Sequence, residues 1–200
     1  MTKRALILYA HPSEGSFNAA IRDQTIAQLQ DAKIEVRIID LYARSFQPVL
    51  TPEEYQTYQD SPANRSPVAQ DVADLQWADT LIFIYPTWWY GLPAILKGWL
   101  DRVLLPEVAF LMPNDHNTAI RPGLTHITKL AVFTTCGASR GLTFLIGAPG
   151  KRMILRGLRF LCAKRCKTTF AALYLMDSST PKSREKHLRR VQARLAKLIR

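Results

Sequence analysis

"WADTLIFIYPTWWYGLPAILKGWLDRV" runs from Trp77 to Val103, and its three parts pull in different directions. Thr80 to Pro86 is a continuous apolar run of the kind that fits a strand buried on both faces. Ala94 to Leu104 reads as a helix, with Pro93 near its first turn, where a missing N–H does no harm. Between them stand Trp88, Trp89 and Tyr90. A core would use Leu, Ile and Val there, and a plain loop would use Asn, Asp and Ser. Large planar side chains at the end of a buried strand instead make a stacking surface for a flat ring.

The same strand–helix unit repeats outward along the chain. Arg4 to Ala10, Glu35 to Tyr42, Lys129 to Gly137 and Thr168 to Leu175 read as four further strands. Helical pattern covers Phe17 to Lys33, Val68 to Trp77 and Gly150 to Ala163, and Pro181 opens a last helix. In Phe17 to Lys33, Ile21, Ile26 and Leu29 form a rough apolar face. Strands alternating with helices argue for a parallel sheet covered on both faces. With right-handed crossovers, the expected fold is α/β: a flavodoxin-like doubly wound sandwich, with five strands in the order 2-1-3-4-5. We read residues 1–200 as one such domain. Two proline-bearing insertions, Ala43 to Pro67 and Pro106 to Thr125, break the rhythm, and long loops of this kind are usually functional or disordered.

Composition narrows the class. At 200 residues and 48% hydrophobic content the chain can bury a sizeable core. The N-terminus begins like a secretory signal, but its apolar run is short and no small-residue cleavage site follows, so a buried first strand explains it better. Cys136, Cys162 and Cys166 are an odd set without framework spacing, which points to a reducing cytoplasm. Cys162 and Cys166 have no second ligand pair near them, so no metal site is expected. The formal net charge of +11 is uneven: residues 151–200 hold 15 Lys and Arg against 2 acids, and residues 1–150 hold 12 against 14. Such a basic end attracts anionic partners in principle, or is simply a solvated face. It has neither aromatic interleaving nor a nucleic-acid motif, so no nucleic-acid partner is expected.

In an open parallel sheet, ligands bind beyond the carboxyl ends of the strands. Three loops leave those ends. The first, Ala10 to Asn18, leads into a helix N-terminus suited to an anion, with His11 as a donor, Gly15 allowing close approach, and Ser16 and Asn18 as capping types. It is neither a P-loop nor GxGxxG. The second carries the aromatic cluster, where the amides of Thr87, Trp88 and Trp89 are candidates to meet a ring's edge. The third, Thr134 to Gly141, offers small residues for close backbone approach. A flavin is the flat, phosphate-bearing ligand that suits these loops together. Cys136 has no His or Asp placed to activate it as a nucleophile.

Four stretches, "ALILYAHPSEGSFNAAI", "DLYARSFQPVLT", "WADTLIFIYPTWWYGLPAILKGWLDRV" and "FTTCG", resemble in order and spacing the quinone-reductase branch of the flavodoxin superfamily. That branch holds the NAD(P)H:quinone oxidoreductases and the bacterial ancillary proteins of glutathione-gated potassium efflux. The resemblance covers most of residues 4–140, and the last sixty residues match only in general pattern. It implies a cytoplasmic homodimer with FAD, or alternatively FMN, at the dimer interface, NAD(P)H as electron donor and a quinone-like acceptor served by ping-pong hydride transfer. By position, His11, Ser16, Phe17 and Asn18 resemble the phosphate-side contacts. Pro86, Thr87, Trp88, Trp89 and Tyr90 resemble the ring-side contacts. Thr134, Thr135 and Gly137 resemble the loop over the pyrimidine side. The chain departs from the pattern in two ways. Cys136 stands where the family has Gly. The stretch "ASRGLTFLIGAPG" lacks the Tyr and His that assist hydride transfer in mammalian-type members, so either backbone groups and water support the charge on the reduced flavin or Arg140 helps. A second reading keeps the flavin but makes the chain a regulatory subunit of a membrane transporter, in transient membrane or transporter contact through its basic C-terminal part.

Overall fold

The structure, a computed structural model, describes residues 3–200. β1 (Arg4–Tyr9) leads through α1 (Phe17–Asp31) to β2 (Glu35–Asp40). A short α2 (Pro52–Gln56) and a 3-10 turn (Ala63–Val68) precede α3 (Ala69–Trp77). β3 (Thr80–Thr87) is followed by α4 (Ala94–Val103), then by a ribbon of β4 (Phe110–Leu111) and β5 (Arg121–Pro122). After β6 (Lys129–Cys136) come α5 (Arg140–Leu145), α6 (Pro149–Arg152), a π-helical turn (Met153–Leu158) and α7 (Arg159–Leu161). β7 (Lys167–Tyr174) and α8 (Pro181–Ile199) complete the order.

The main sheet runs β2-β1-β3-β6-β7, parallel throughout, which is the expected 2-1-3-4-5 order. Apolar residues fill both faces of its inner strands, so alternate side chains supply two cores. Leu6, Leu8, Leu81, Phe83, Leu130 and Val132 face Val72, Leu75, Leu96, Trp99 and Leu158. Ala5, Ile7, Ile82, Ile84, Ala131 and Phe133 face Ile21, Leu29, Val191 and Leu195. Helix α1 buries Ile21 and Leu29 as its apolar face requires, and Ile26 packs at the margin.

The Ala43–Pro67 insertion is strapped to the first of these layers. The Asp71 carboxylate accepts two bonds from Arg44 and one, at 2.7 Å, from the Trp99 indole N–H. Trp99 is thus a core residue, held by a buried charge that has both of its oxygens bonded. Arg102 pairs with Glu54, both side chains being about nine-tenths buried. Pro48 lies so close to α4 that a Cβ on Gly98 would sit 2.2 Å from the Pro48 carbonyl oxygen.

Two stretches differ from expectation. Gly150 to Ala163 is broken by the π-helical turn, where Gly157 weakens the α-helical hold and the wider turn still buries Ile154 and Leu158. Residues 140–145 form a helix that apolar periodicity does not announce; the Ser139 hydroxyl caps it by accepting from the Leu142 amide.

Gly98→Ala forces α4 off Pro48 and is expected to cost about 1–3 kcal/mol, read as a lowered midpoint in urea unfolding. A second prediction concerns the α1–α8 seam, where His187 is 4% exposed and tilts against Phe17. Burial, with the Arg190 charge behind it, pulls its pKa down from 6.5 to about 4. The native value lies below the unfolded one, so the unfolded chain takes up the proton first. Stability is full above about pH 6.5 and falls as the pH drops toward 4, by up to about 3 kcal/mol. Unfolding of His187→Leu should lack that slope.

Candidate functional site

β3 and β6 stay in register to their last residues: Tyr85 opposite Thr134, Pro86 opposite Thr135, Thr87 opposite Cys136. Their loops therefore leave the sheet at one level. The Thr134 hydroxyl donates to the Tyr85 carbonyl at 2.6 Å, which leaves the Thr87 hydroxyl to donate to Thr134 at 2.8 Å. Pro86 fits in this central strand because β1 pairs with β3 only as far as Ile84.

The aromatic cluster is a tight turn. The Gly91 amide donates to the Trp88 carbonyl at 2.9 Å, and the two residues between them, Trp89 and Tyr90, have φ of 47° and 60°. Two successive left-handed residues define a type I′ turn, a place normally held by Asn and Gly. Here the chain keeps Trp and Tyr instead, and Trp89 is 95% exposed. The Gly150 amide at the start of α6 donates to the Tyr90 carbonyl, and a Cβ on Gly150 would stand 3.0 Å from Gly91. Helix α6 thus buttresses the turn.

A cleft of about 540 Å³ opens at this level, lined by His11, Pro86, Thr87, Trp88, Trp89, Tyr90, Thr135, Cys136, Gly137, Ala138, Met176 and Asp177. The size suits a small-molecule ligand. All three loops singled out in the sequence reach it. Sequence reasoning missed Met176 and Asp177, on the loop after β7; they too follow the carboxyl end of a parallel strand, which was signal enough. The Asp177 carboxylate occupies the space beside Gly137, where a Cβ would meet its Oδ2 at 2.7 Å.

The remaining expected residues sit as follows. His11 accepts the Ser13 amide on Nδ1 at 3.0 Å, which in that tautomer leaves the proton on Nε2. Burial lowers its pKa, so the neutral donor form is favoured near pH 7. Ser16 is the α1 cap, its hydroxyl accepting from the Ala19 amide. Phe17 packs at the α1–α8 seam against His187, outside the cleft lining. Asn18 is 2% exposed; its amide nitrogen donates to the Thr135 hydroxyl at 2.9 Å, while its Oδ1 has no protein partner. Thr134 is buried behind the lining in its bonds to Tyr85 and Thr87. The Cys136 thiol contacts the Thr143 hydroxyl at 3.7 Å, a packing partner rather than an activating base. Arg140 is exposed at the start of α5 and is not among the lining residues.

The turn generates a prediction. A left-handed non-glycine residue carries about 1–2 kcal/mol of strain, and glycine returns about 0.5–1 kcal/mol of that as unfolded-chain entropy. Since Trp89 packs on so little, Trp89→Gly should leave the protein no less stable, and up to about 1 kcal/mol more stable, in denaturant unfolding. A marked loss would show that the ring packs on a partner, within the chain or on a second copy of it.

A family model described as Flavodoxin-like fold matches residues 3–199. The Escherichia coli (strain K12) protein named "Uncharacterized NAD(P)H oxidoreductase YcaK" is 40% identical over 103 residues, 51% of this chain and 53% of that protein, so the match spans about half the length of that relative. A Haemophilus influenzae protein named "Uncharacterized NAD(P)H oxidoreductase" is 30% identical over 204 residues, 97% of this chain and 96% of that one. Among solved structures, the NAD(P)H:quinone oxidoreductase from Methanothermobacter marburgensis matches with a TM-score of 0.79 at 26% identity, over 100% of this chain and 98% of that one. With the sheet order, these matches establish that the chain belongs to the flavodoxin-like fold and, within it, to the NAD(P)H:quinone oxidoreductase family.

Proposed function

We propose that the chain is a flavin-dependent oxidoreductase that takes electrons from NAD(P)H and passes them to quinone-like acceptors. The observation that carries this reading is the convergence, in one cleft, of a planar aromatic turn, a loop of small residues and the loop that opens α1. A bound flavin supplies hydride chemistry between a nicotinamide and an acceptor, which the protein's own side chains cannot.

The donor set suits such a ring. Trp88, Trp89 and Tyr90 offer aromatic surface at the cleft, and the backbone amides of Thr87, Trp88 and Trp89 are the candidates to meet the ring's edge. Thr135, Gly137 and Ala138 permit close approach on the other side. His11 presents a neutral donor. Asn18 donates its amide nitrogen to Thr135 and keeps an unpartnered buried oxygen as an acceptor. The first turn of α1 carries no acid, so nothing there repels a phosphate; this supports Ser16, Phe17 and Asn18 as phosphate-side positions through their backbone. FAD is our reading, with FMN the alternative. A single open cleft favours donor and acceptor visiting in turn, the ping-pong order. Arg140 stands outside the lining, so backbone donors and His11 are better placed than it is to meet developing negative charge. The exposed rings of Trp89 and Phe144 support a homodimer whose second copy covers the cleft. Three free cysteines support a reducing compartment such as the cytoplasm. The regulatory-subunit reading draws only on the charge of residues 151–200, and nothing in the cleft favours it.

The test is anaerobic addition of NADH or NADPH to the purified protein after loading with FAD or FMN. Bleaching of the visible flavin bands, and their return on adding a quinone, is the expected result. Retained flavin that neither nucleotide bleaches would reject the reading.

A further inference from the structure

Strand β7 ends the main sheet and pairs only with β6. The Lys167 amide donates to Thr128 at 2.9 Å and the Leu175 amide to Ala138 at 3.3 Å, both on the β6 side. Backbone groups alternate along a parallel strand, so the amides and carbonyls of Thr168, Phe170, Ala172 and Tyr174 point away from β6. At Ala172 this edge is covered, but Lys167 and Thr168 are exposed.

Two basic grooves flank that open half. One, of about 340 Å³, lies toward α8 and is lined by Lys167, Thr169, Arg194 and Lys197. The other, of about 330 Å³, lies toward α6 and the π-helical turn and is lined by Lys151, Arg152 and Arg156. Thr168 borders both, and neither groove has an acidic lining residue. Among the described residues, none of these six cations makes an ion pair. Beside them, burial and the charges of Lys3 and Lys167 pull the Lys129 pKa down, with Asp79 only partly opposing. A single lysine on an edge strand is ordinary protection against unwanted pairing. Six unpaired cations split between two grooves are more than that protection needs.

We propose that the Lys167–Phe170 edge of β7 docks an acidic, extended segment of a partner protein, which adds a strand to the sheet. Successive side chains of a strand point to opposite faces. An extended segment with adjacent acids would send carboxylates into both grooves while its backbone pairs with Thr168 and Phe170. A bilayer presents its charge in one plane. A nucleic acid has no strand to offer the β7 amides. This edge lies at the amino end of β7, away from the cleft, so the inference does not rest on the flavin reading; of the α6-side groove, only the far end, at Phe144, touches the face we give to a second copy.

The experiment titrates the full-length protein into a fluorescein-labelled peptide of Glu-Glu-Thr repeats, followed by polarisation in about 0.05 M salt. The same repeats with Gln for Glu, phosphatidylserine vesicles and a single-stranded oligonucleotide serve as competitors. Thr168→Pro removes one outward amide at a position where an edge strand tolerates proline. Lys151→Glu and Lys197→Glu each reverse one of the three charges in one groove. We expect saturable binding of the Glu peptide alone, weakened roughly fivefold or more by each of the three substitutions, with an unchanged circular-dichroism spectrum. Absence of saturable binding overturns the proposal. So does binding indifferent to Thr168→Pro in the folded variant, or equal competition by vesicles or oligonucleotide, since either reduces the edge to a diffuse positive face. If Thr168→Pro fails to fold, the outward assignment of that amide is wrong, and the proposal falls with it.

Discussion

The pairing of β3 with β6 through Thr87 and Cys136 is the constraint on which the site depends. A parallel pair that ended two residues earlier would let the aromatic turn and the Thr134–Gly137 loop drift apart. The hydroxyl chain from Thr87 through Thr134 to the Tyr85 carbonyl holds the last rungs closed where β1 has already left the sheet. Losing either hydroxyl would leave a buried polar group short of a partner just below the cleft floor. The Asn18 bond to Thr135 ties α1 to the same rungs. Three loops from distant parts of the chain are thus positioned by one short section of ladder.

Local strain is concentrated where that ladder ends. Trp89 and Tyr90 occupy left-handed backbone that Gly would fill at lower cost, and α6 is docked on the turn through Gly150 to keep it there. Stability alone would not choose these residues. A chain selected to present planar aromatic surface at a fixed height would. Away from the turn the packing is tight, with Asp71 holding Trp99 and Arg44, and Pro48 seated on Gly98.

The sheet was legible because the inner strands β1, β3 and β6 are built on apolar runs, and helix-patterned segments alternate with the strands along the chain. Runs as short as "ALILY" and "TLIFIY", rich in β-branched and aromatic residues, suit strands buried on both sides better than buried helices. The aromatic turn was legible as a ring surface but not as a turn, since type I′ geometry is announced by Asn and Gly and this chain has neither at its centre. Helix α5 carries no clear apolar stripe, exposing Phe144 and Leu145, and so escaped notice. The resemblance puts Phe17 on the phosphate side without saying which part of it faces there; a helix turns about 100° per residue, and its ring packs toward α8 against His187. Met176 and Asp177 follow a fourth strand end, that of β7, and carry neither the aromatic nor the small-residue pattern that marks the other loops.

The central claim is that the cleft between the aromatic turn and the Thr135–Ala138 loop holds a flavin ring. The most direct measurement is titration of flavin-free protein into FAD and FMN, following quenching of flavin fluorescence, for the natural chain and for a Trp88→Ala, Trp89→Ala double variant. Stacking on aromatic side chains predicts saturable quenching that the double variant weakens roughly tenfold or more while it unfolds at the same denaturant concentration. Saturable quenching that the double variant leaves untouched would place the ring elsewhere and contradict the account.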